Sequence, residues 1–398
     1  MPLSKNVQRV QPSITMVISS KAAALRRQGV DVIALSAGEP DFDTPQHIKE
    51  AGIRAIQEGY TKYVVPGSGL LELREAICRK FKEDNALDYT TEQVMVNNGA
   101  KHSLYLAVAA LLDPGDEAII PTPYWVTYSE QPRLVGAESV IVQTRAENGL
   151  KLTAAEFRRA ITPKSRMLFL NTPSNPSGAI YSREELQVLA TVAVEHGIYV
   201  LSDEIYEKLI YDGAEHHSIA ALGEQIKELS IVVNGVSKAY SMTGWRIGYT
   251  GANNEVIAGM TKVQSQETTH PASMAQKAAV EALTGPQEAV GEMREAFDAR
   301  RRYMVERLNA IEGVECDLPQ GAFYAYPDIS AYYGRKAGDR KIADSVELCE
   351  YLLEEGKVAC VPGAGFGTEE HIRLSYATSI ENVEKAMDRV QEALGRLG

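Results

Sequence analysis

The chain has 398 residues, 44% hydrophobic and 24% charged, the profile of a globular protein long enough for two domains, one large and one small. Its net charge of -12 and lack of any Lys/Arg cluster exclude a non-specific polyanion binder, so small molecules and not nucleic acid are the expected partners. Four scattered cysteines (Cys78, Cys316, Cys349 and Cys360) form no CxxC pair, and no histidine stands at zinc-ligand spacing, so neither a disulfide framework nor a metal site is expected.

Along the chain, Met-Pro-Leu-Ser-Lys-Asn-Val-Gln-Arg-Val lacks the apolar stretch of a signal peptide, and the longest apolar run, 104–112, is too short to cross a bilayer. A cytoplasmic protein with no membrane partner is the expectation. Residues 1–45, with Ser36-Ala37-Gly38-Glu39-Pro40 as a turn, are expected to pack on the smaller domain and to act as a lid. Short apolar runs predict strands at 93–96, 117–121, 139–144, 166–171, 198–202, 230–234 and 246–251. Helical patterns at 101–112, 153–161 and 182–196 lie between them. Buried Val/Ile/Leu strands alternating with helices predict an α/β fold, with a mostly parallel seven-stranded sheet between helices over 46–285. From about residue 252 long helices follow, to about 311. Short strands at 322–326, 358–361 and 371–376 then complete a smaller α+β domain formed by 286–398 with 1–45. The glycine-rich run 362–367 has the wrong spacing for a nucleotide loop and reads as a turn before the last strand.

Open parallel sheets bind ligands beyond the carboxyl ends of their strands. Three predicted strands end in polar residues there: 198–202 in Asp203-Glu204-Ile205-Tyr206, 230–234 in Gly235-Val236-Ser237-Lys238, and 166–171 in a loop containing Asn175. Taken singly, Lys238 reads as a surface lysine, Asp203 as a cap and Tyr206 as a core aromatic. Together they make the set that pyridoxal 5′-phosphate needs: an amine for its aldehyde, a carboxylate for its ring nitrogen and donors for its phenolic oxygen. The helix start Asn98-Gly99-Ala100-Lys101 supplies backbone N–H groups for a phosphate, with Ser237 and Arg246 adding a hydroxyl and a charge. Trp125 is suited to stack on the ring. Arg373, in an otherwise apolar strand, calls for a bound anion.

The segment 235–248, Gly-Val-Ser-Lys-Ala-Tyr-Ser-Met-Thr-Gly-Trp-Arg-Ile-Gly, resembles the lysine signature of the class I aminotransferases of fold-type I. The resemblance extends through 36–42, 62–66, 175–178, 202–206 and 373–376, and is closest to the subgroup Iβ aspartate aminotransferases, some of which also accept prephenate. It implies ping-pong transamination, aspartate and 2-oxoglutarate giving oxaloacetate and glutamate. It makes Lys238 the Schiff-base lysine and proton shuttle, pairs Asp203 with the ring nitrogen, and sets Tyr206 and Asn175 on the phenolic oxygen. Arg373, helped by Gly38 and Asn175, would clamp the substrate α-carboxylate; Lys101, with Ser13 and Thr15 from the lid, would bind the second carboxylate. Tyr63 would reach the phosphate in a neighbouring subunit, which implies a homodimer with shared active sites. Ser174, Ser177 and Gly235 depart from residues common in relatives, which bears on affinity alone. The cofactor residues do not fix the reaction type, so an aromatic-preferring aminotransferase and a pyridoxal-phosphate β-lyase stand as alternatives. A cofactor-sensing transcription regulator is disfavoured, because the resemblance leaves no room for a DNA-binding domain ahead of it.

Overall fold

Strands buried on both faces must be apolar at consecutive positions, and such runs, as at 118–120, 167–170 and 231–233, build the middle of the seven-stranded central sheet of the computed structural model, which describes residues 3–398. Met1 and Pro2, the start of the expected lid, lie outside the described residues. The strands are β1 (Val94–Asn97), β2 (Glu117–Pro121), β3 (Glu138–Val142), β4 (Ser165–Asn171), β5 (Tyr199–Asp203), β6 (Ser230–Gly235) and β7 (Gly248–Gly251). They lie in the order β1-β7-β6-β5-β4-β2-β3. β7 is antiparallel to both neighbours and every other pairing is parallel, so the expected α/β architecture is the one observed. Side chains alternate between the two faces. Met167, Phe169, Leu201, Ile231 and Val233 join the core under helix Ala100–Leu111. Leu168, Leu170 and Val200 point the other way, against helix Arg183–His196.

Local chemistry sets the element ends. Thr153 with Glu156, and Ser182 with Glu185, form capping boxes that start helices Ala154–Ala160 and Arg183–His196. The strand expected over 246–251 starts two residues late. Thr243–Trp245 is a 3₁₀ turn and Arg246 has φ 57°, in the left-handed region, which interrupts extended pairing and leaves Arg246 on the turn before β7.

Helices Asn254–Glu267, Ser273–Thr284 and Glu288–Asn309 follow, and the last of these packs into a second core containing Phe297, Phe323, Leu348 and Val383. There a three-stranded antiparallel sheet holds Ile372–Ser375 between Val361–Pro362 and Tyr324–Ala325. The glycine-rich run folds as the 3₁₀ turn Gly363–Phe366 just before it. Near the N-terminus, Ala22 of helix Ile14–Arg27 packs with Val32 and Leu353, and Ile33–Ala34 pairs with Val358–Ala359. Among the described residues no helix is long and apolar enough to cross a membrane.

Candidate active site

β4, β5 and β6 are parallel neighbours, so their carboxyl ends open on one crevice. A cavity of about 270 Å³ lies there. It is lined by Lys238, Asp203, Tyr206, Asn175, Arg373 and Trp125, and also by Ala100, Lys101, Ser237, Arg246, Gly38, Ser13 and Thr15. Two of the predicted site residues are not on its wall. Gly99 sits just behind Arg246, and Tyr63 is 83% exposed, edge-on to His270, away from this chain's own cavity. A larger, more open hollow of about 880 Å³ adjoins the site across Ser13, Lys101 and Arg246.

Lys238 follows β6 by three residues, and its amine donates to the Gly38 carbonyl at 2.5 Å. Burial pushes that amine down to about 8; Glu39 opposes the fall, while Arg373 and Arg246 add to it. Asp203 ends β5 and is buried. Desolvation pushes its carboxyl up to about 6 against the opposing Tyr128 hydroxyl, Ile205 N–H and Lys238 charge. The linkage signs differ. In the cofactor-free chain the unfolded state binds more protons than the native one at Lys238 between about pH 8 and 10.5, so stability from this group rises with pH there. At Asp203 the native state binds more, and stability falls as pH rises from about 4 to 6. An amine-directed acylating reagent should therefore label Lys238 with a half-maximal rate near pH 8, read by peptide mass spectrometry, with an ordinary lysine profile as the contrary result.

Arg373 is 1% exposed. Its Nη1 donates to Asn175 Oδ1 and its Nη2 to the Ser36 carbonyl, both at 2.9 Å, and its Nε has no partner. The guanidinium lies over Tyr324, 4.3 Å from the ring centroid, and is not among the arginines that form ion pairs within the described residues. A buried charge without a counter-ion is costly, so the site is built for an anion. Lys101, an exposed residue overall, holds its amine 4.7 Å from the centre of the Trp125 ring; desolvation at that position, then the Arg246 charge, lowers its pKa. Ser13 precedes helix Ile14–Arg27 without making a side-chain cap bond, and the buried Thr15 hydroxyl has no partner. Both hydroxyls are thus unused on the cavity wall.

The anion cradle at the start of helix Ala100–Leu111 depends on glycine. Gly99 has φ 80°, and a Cβ there would lie 2.4 Å from Arg246 Nη2. Arg246 itself donates to the Thr243 carbonyl at 2.7 Å. Gly235 has its own reason: a Cβ would meet the Ile247 carbonyl at 2.9 Å, so a serine at this position would require the β6–β7 pair to shift.

Of the cavity residues absent from the sequence reading, three hydrogen-bond Asp203 or Tyr206 through their side chains. Tyr128 donates to Asp203 Oδ2 at 2.7 Å, Tyr324 hydrogen-bonds Tyr206 hydroxyl to hydroxyl at 2.9 Å, and Asn171 donates to the Asp203 carbonyl at 2.8 Å. Tyr128 was in principle findable, three residues after Trp125 on one turn; Tyr324, distant in sequence, was not. Beside the site, Glu204, Glu207 and His216 bring potential metal-ligand atoms within 4.8 Å of one another. Lys80, however, is ion-paired to Glu207, and the Ser202 and Ser218 hydroxyls donate to Glu204, so the chain's own groups already engage both carboxylates.

Against known proteins, residues 30–390 match the family model for class I and II aminotransferases. An aspartate aminotransferase from a Bacillus species is 48% identical over 388 residues, covering 98% of each chain. An aspartate/prephenate aminotransferase from Cereibacter sphaeroides is 47% identical over 391 residues, again 98% of each. The crystal structure of the aspartate aminotransferase from Rhizobium meliloti superposes with a TM-score of 0.97 at 43% identity over the whole of both chains. That of Thermus thermophilus, solved with maleate, gives 0.92 at 47% identity, covering 99% of this chain and 100% of that one.

Proposed function

The chain belongs to the class I and II aminotransferase family, and on that footing we propose that it transfers the amino group of aspartate to 2-oxoglutarate, yielding oxaloacetate and glutamate, with pyridoxal 5′-phosphate as cofactor. The observation that carries this reading is the meeting of Lys238, Asp203 and the unpaired, buried Arg373 in one cavity. The residues fit the cofactor. A buried carboxylate lines the cavity, an amine of lowered pKa stands across from it, and the bare backbone of Gly99 lies under the Arg246 guanidinium.

When bound, the cofactor supplies an electrophilic aldehyde and a ring able to accept an electron pair from the substrate. Lys238 would hold the aldehyde and, once displaced, take the proton from the substrate Cα with its Nζ. Asp203 would keep the ring nitrogen cationic, an electrostatic contribution aimed at charge that develops during reaction. Tyr206 and Asn175 would face the phenolic oxygen and Trp125 the ring. The backbone N–H groups of Gly99, Ala100 and Lys101, with the side chains of Ser237 and Arg246, would surround the phosphate. Arg373 would take the substrate α-carboxylate as a fork, oriented by Asn175 and flanked by Gly38.

For the second carboxylate the reading assigns Lys101, with Ser13 and Thr15. Lys101→Ala should lower kcat/KM for aspartate roughly 10- to 100-fold while sparing phenylalanine, the scale of one charge-assisted hydrogen bond. Equal losses on both substrates would remove Lys101 from this role. A second reading adds prephenate as an acceptor, on the strength of relatives whose names carry it. Single-turnover spectroscopy with aspartate, glutamate, phenylalanine and arogenate tests both readings, and a chain that stays colourless with the cofactor defeats both.

We further infer a homodimer with shared sites. Tyr63 and Val65, 83% and 88% exposed, would enter the hollow beside the partner's cavity, and Tyr63 would contact the phosphate there. A cytoplasmic location accords with the free thiols at Cys78, Cys316, Cys349 and Cys360. The large and small domains are assigned to 46–285 and to 286–398 with 1–45, an arrangement that would let the N-terminal segment close over bound acid.

A further inference from the structure

We propose that Tyr128 is a positioning residue for Asp203: its buried hydroxyl fixes one carboxylate oxygen and keeps the acid an acceptor, so that the cofactor's ring N–H meets an ionised group in one orientation. This rests on reading the cavity as a pyridoxal-phosphate site.

Tyr128 is 2% exposed and is locked in place. Its N–H donates to the Trp125 carbonyl at 2.8 Å, its ring meets Trp125 edge-on at 5.7 Å, and Phe169 lies 5.1 Å away on the floor of the sheet. One turn therefore carries both the indole that would face the ring and the hydroxyl that holds the acid. The hydroxyl donates to Asp203 Oδ2 at 2.7 Å, and the other oxygen, Oδ1, accepts from the Ile205 N–H at 3.2 Å. Both contacts are donors. A proton placed on Oδ2 would oppose the phenol's own proton, so these two hydrogen bonds favour the carboxylate against the desolvation that opposes it.

The titratable groups around Asp203 are Tyr128, Lys238, Glu204 and Tyr206. Lys238 favours the charged acid and Glu204 disfavours it, while Glu204 is itself held by Ser202, Ser218 and His216. The Tyr206 hydroxyl meets that of Tyr324 and not the Asp203 carboxylate. Of these side chains, Tyr128 alone hydrogen-bonds the carboxylate.

The test compares Tyr128→Phe with Tyr181→Phe. Tyr181 is another buried tyrosine, whose hydroxyl accepts from the Leu152 N–H away from Asp203. In cofactor-free protein carrying ¹³C-labelled aspartate, with Asp203→Asn used for assignment, infrared titration follows the Asp203 carboxyl. In Tyr128→Phe its proton affinity should rise roughly tenfold, and the cofactor dissociation constant should rise by a similar factor, with KM for aspartate little changed. Tyr181→Phe should move neither reading. An unmoved carboxyl in Tyr128→Phe, or an equal shift in Tyr181→Phe, overturns the proposal. If the carboxyl shifts as expected but the natural chain takes up no cofactor, the positioning stands and the reading of the cavity falls.

Discussion

Replacing Lys238 by alanine should lower kcat/KM for aspartate by at least ~10⁴-fold, because one amine would both hold the cofactor aldehyde and carry the Cα proton. The loss should appear in kcat. Arg373 and Asn175 are untouched, so aspartate should still bind, and the cofactor should remain associated through Arg246 and the helix start. The fold should survive as well, since the lysine makes one side-chain hydrogen bond, to the Gly38 carbonyl, and its amine carries a burial cost that alanine relieves. Borohydride treatment should fix the cofactor to position 238 in the natural chain and nowhere in the variant. Added small amines should restore part of the rate, as a diffusible base replaces the missing one. Activity within tenfold of the natural chain would mean that another group moves the proton.

The sheet was legible in the sequence because strands buried on both faces must be apolar at successive positions, as in Leu168-Phe169-Leu170 and Ile231-Val232-Val233. Helix starts were legible where a capping pair such as Ser182 and Glu185 marks them. The turn before β7 was not: Arg246 adopts a left-handed conformation that its side chain does not advertise, so the strand begins two residues later than its sequence pattern implies. The same distinction separates the site residues. Asp203 ends its strand, Lys238 and Asn175 follow strand ends within a few positions, and the lysine segment names its own family. Tyr324 reaches the cavity through a two-residue strand paired with Ile372–Ser375, a tertiary contact without a local pattern. Sequence gives Tyr63 no own-chain partner, and in the fold it is exposed, away from the cavity.

Arg373→Leu offers the complementary test, because a charge placed for a ligand and a charge placed for the fold respond oppositely to removal. The reading predicts that kcat/KM for aspartate falls roughly 10³-fold, the scale for truncating one partner of a buried charged pair. Lysine should not rescue it, since a point charge cannot replace the fork. Stability of the cofactor-free chain should change by only ~1 kcal/mol. Two hydrogen bonds are lost, to Ser36 and Asn175, but a buried guanidinium outside any ion pair is removed as well, and the two effects are of similar size. Lys80 is the control, buried and ion-paired to Glu207 within the chain. Lys80→Met should cost about 3–5 kcal/mol because it strands a buried carboxylate. Maleate at a hundredfold excess over its dissociation constant should stabilise the natural chain by about 2.7 kcal/mol and Arg373→Leu hardly at all. If instead Arg373→Leu unfolds as readily as Lys80→Met and maleate stabilises both chains equally, the guanidinium serves the fold, and the anion site must be sought elsewhere on the cavity wall.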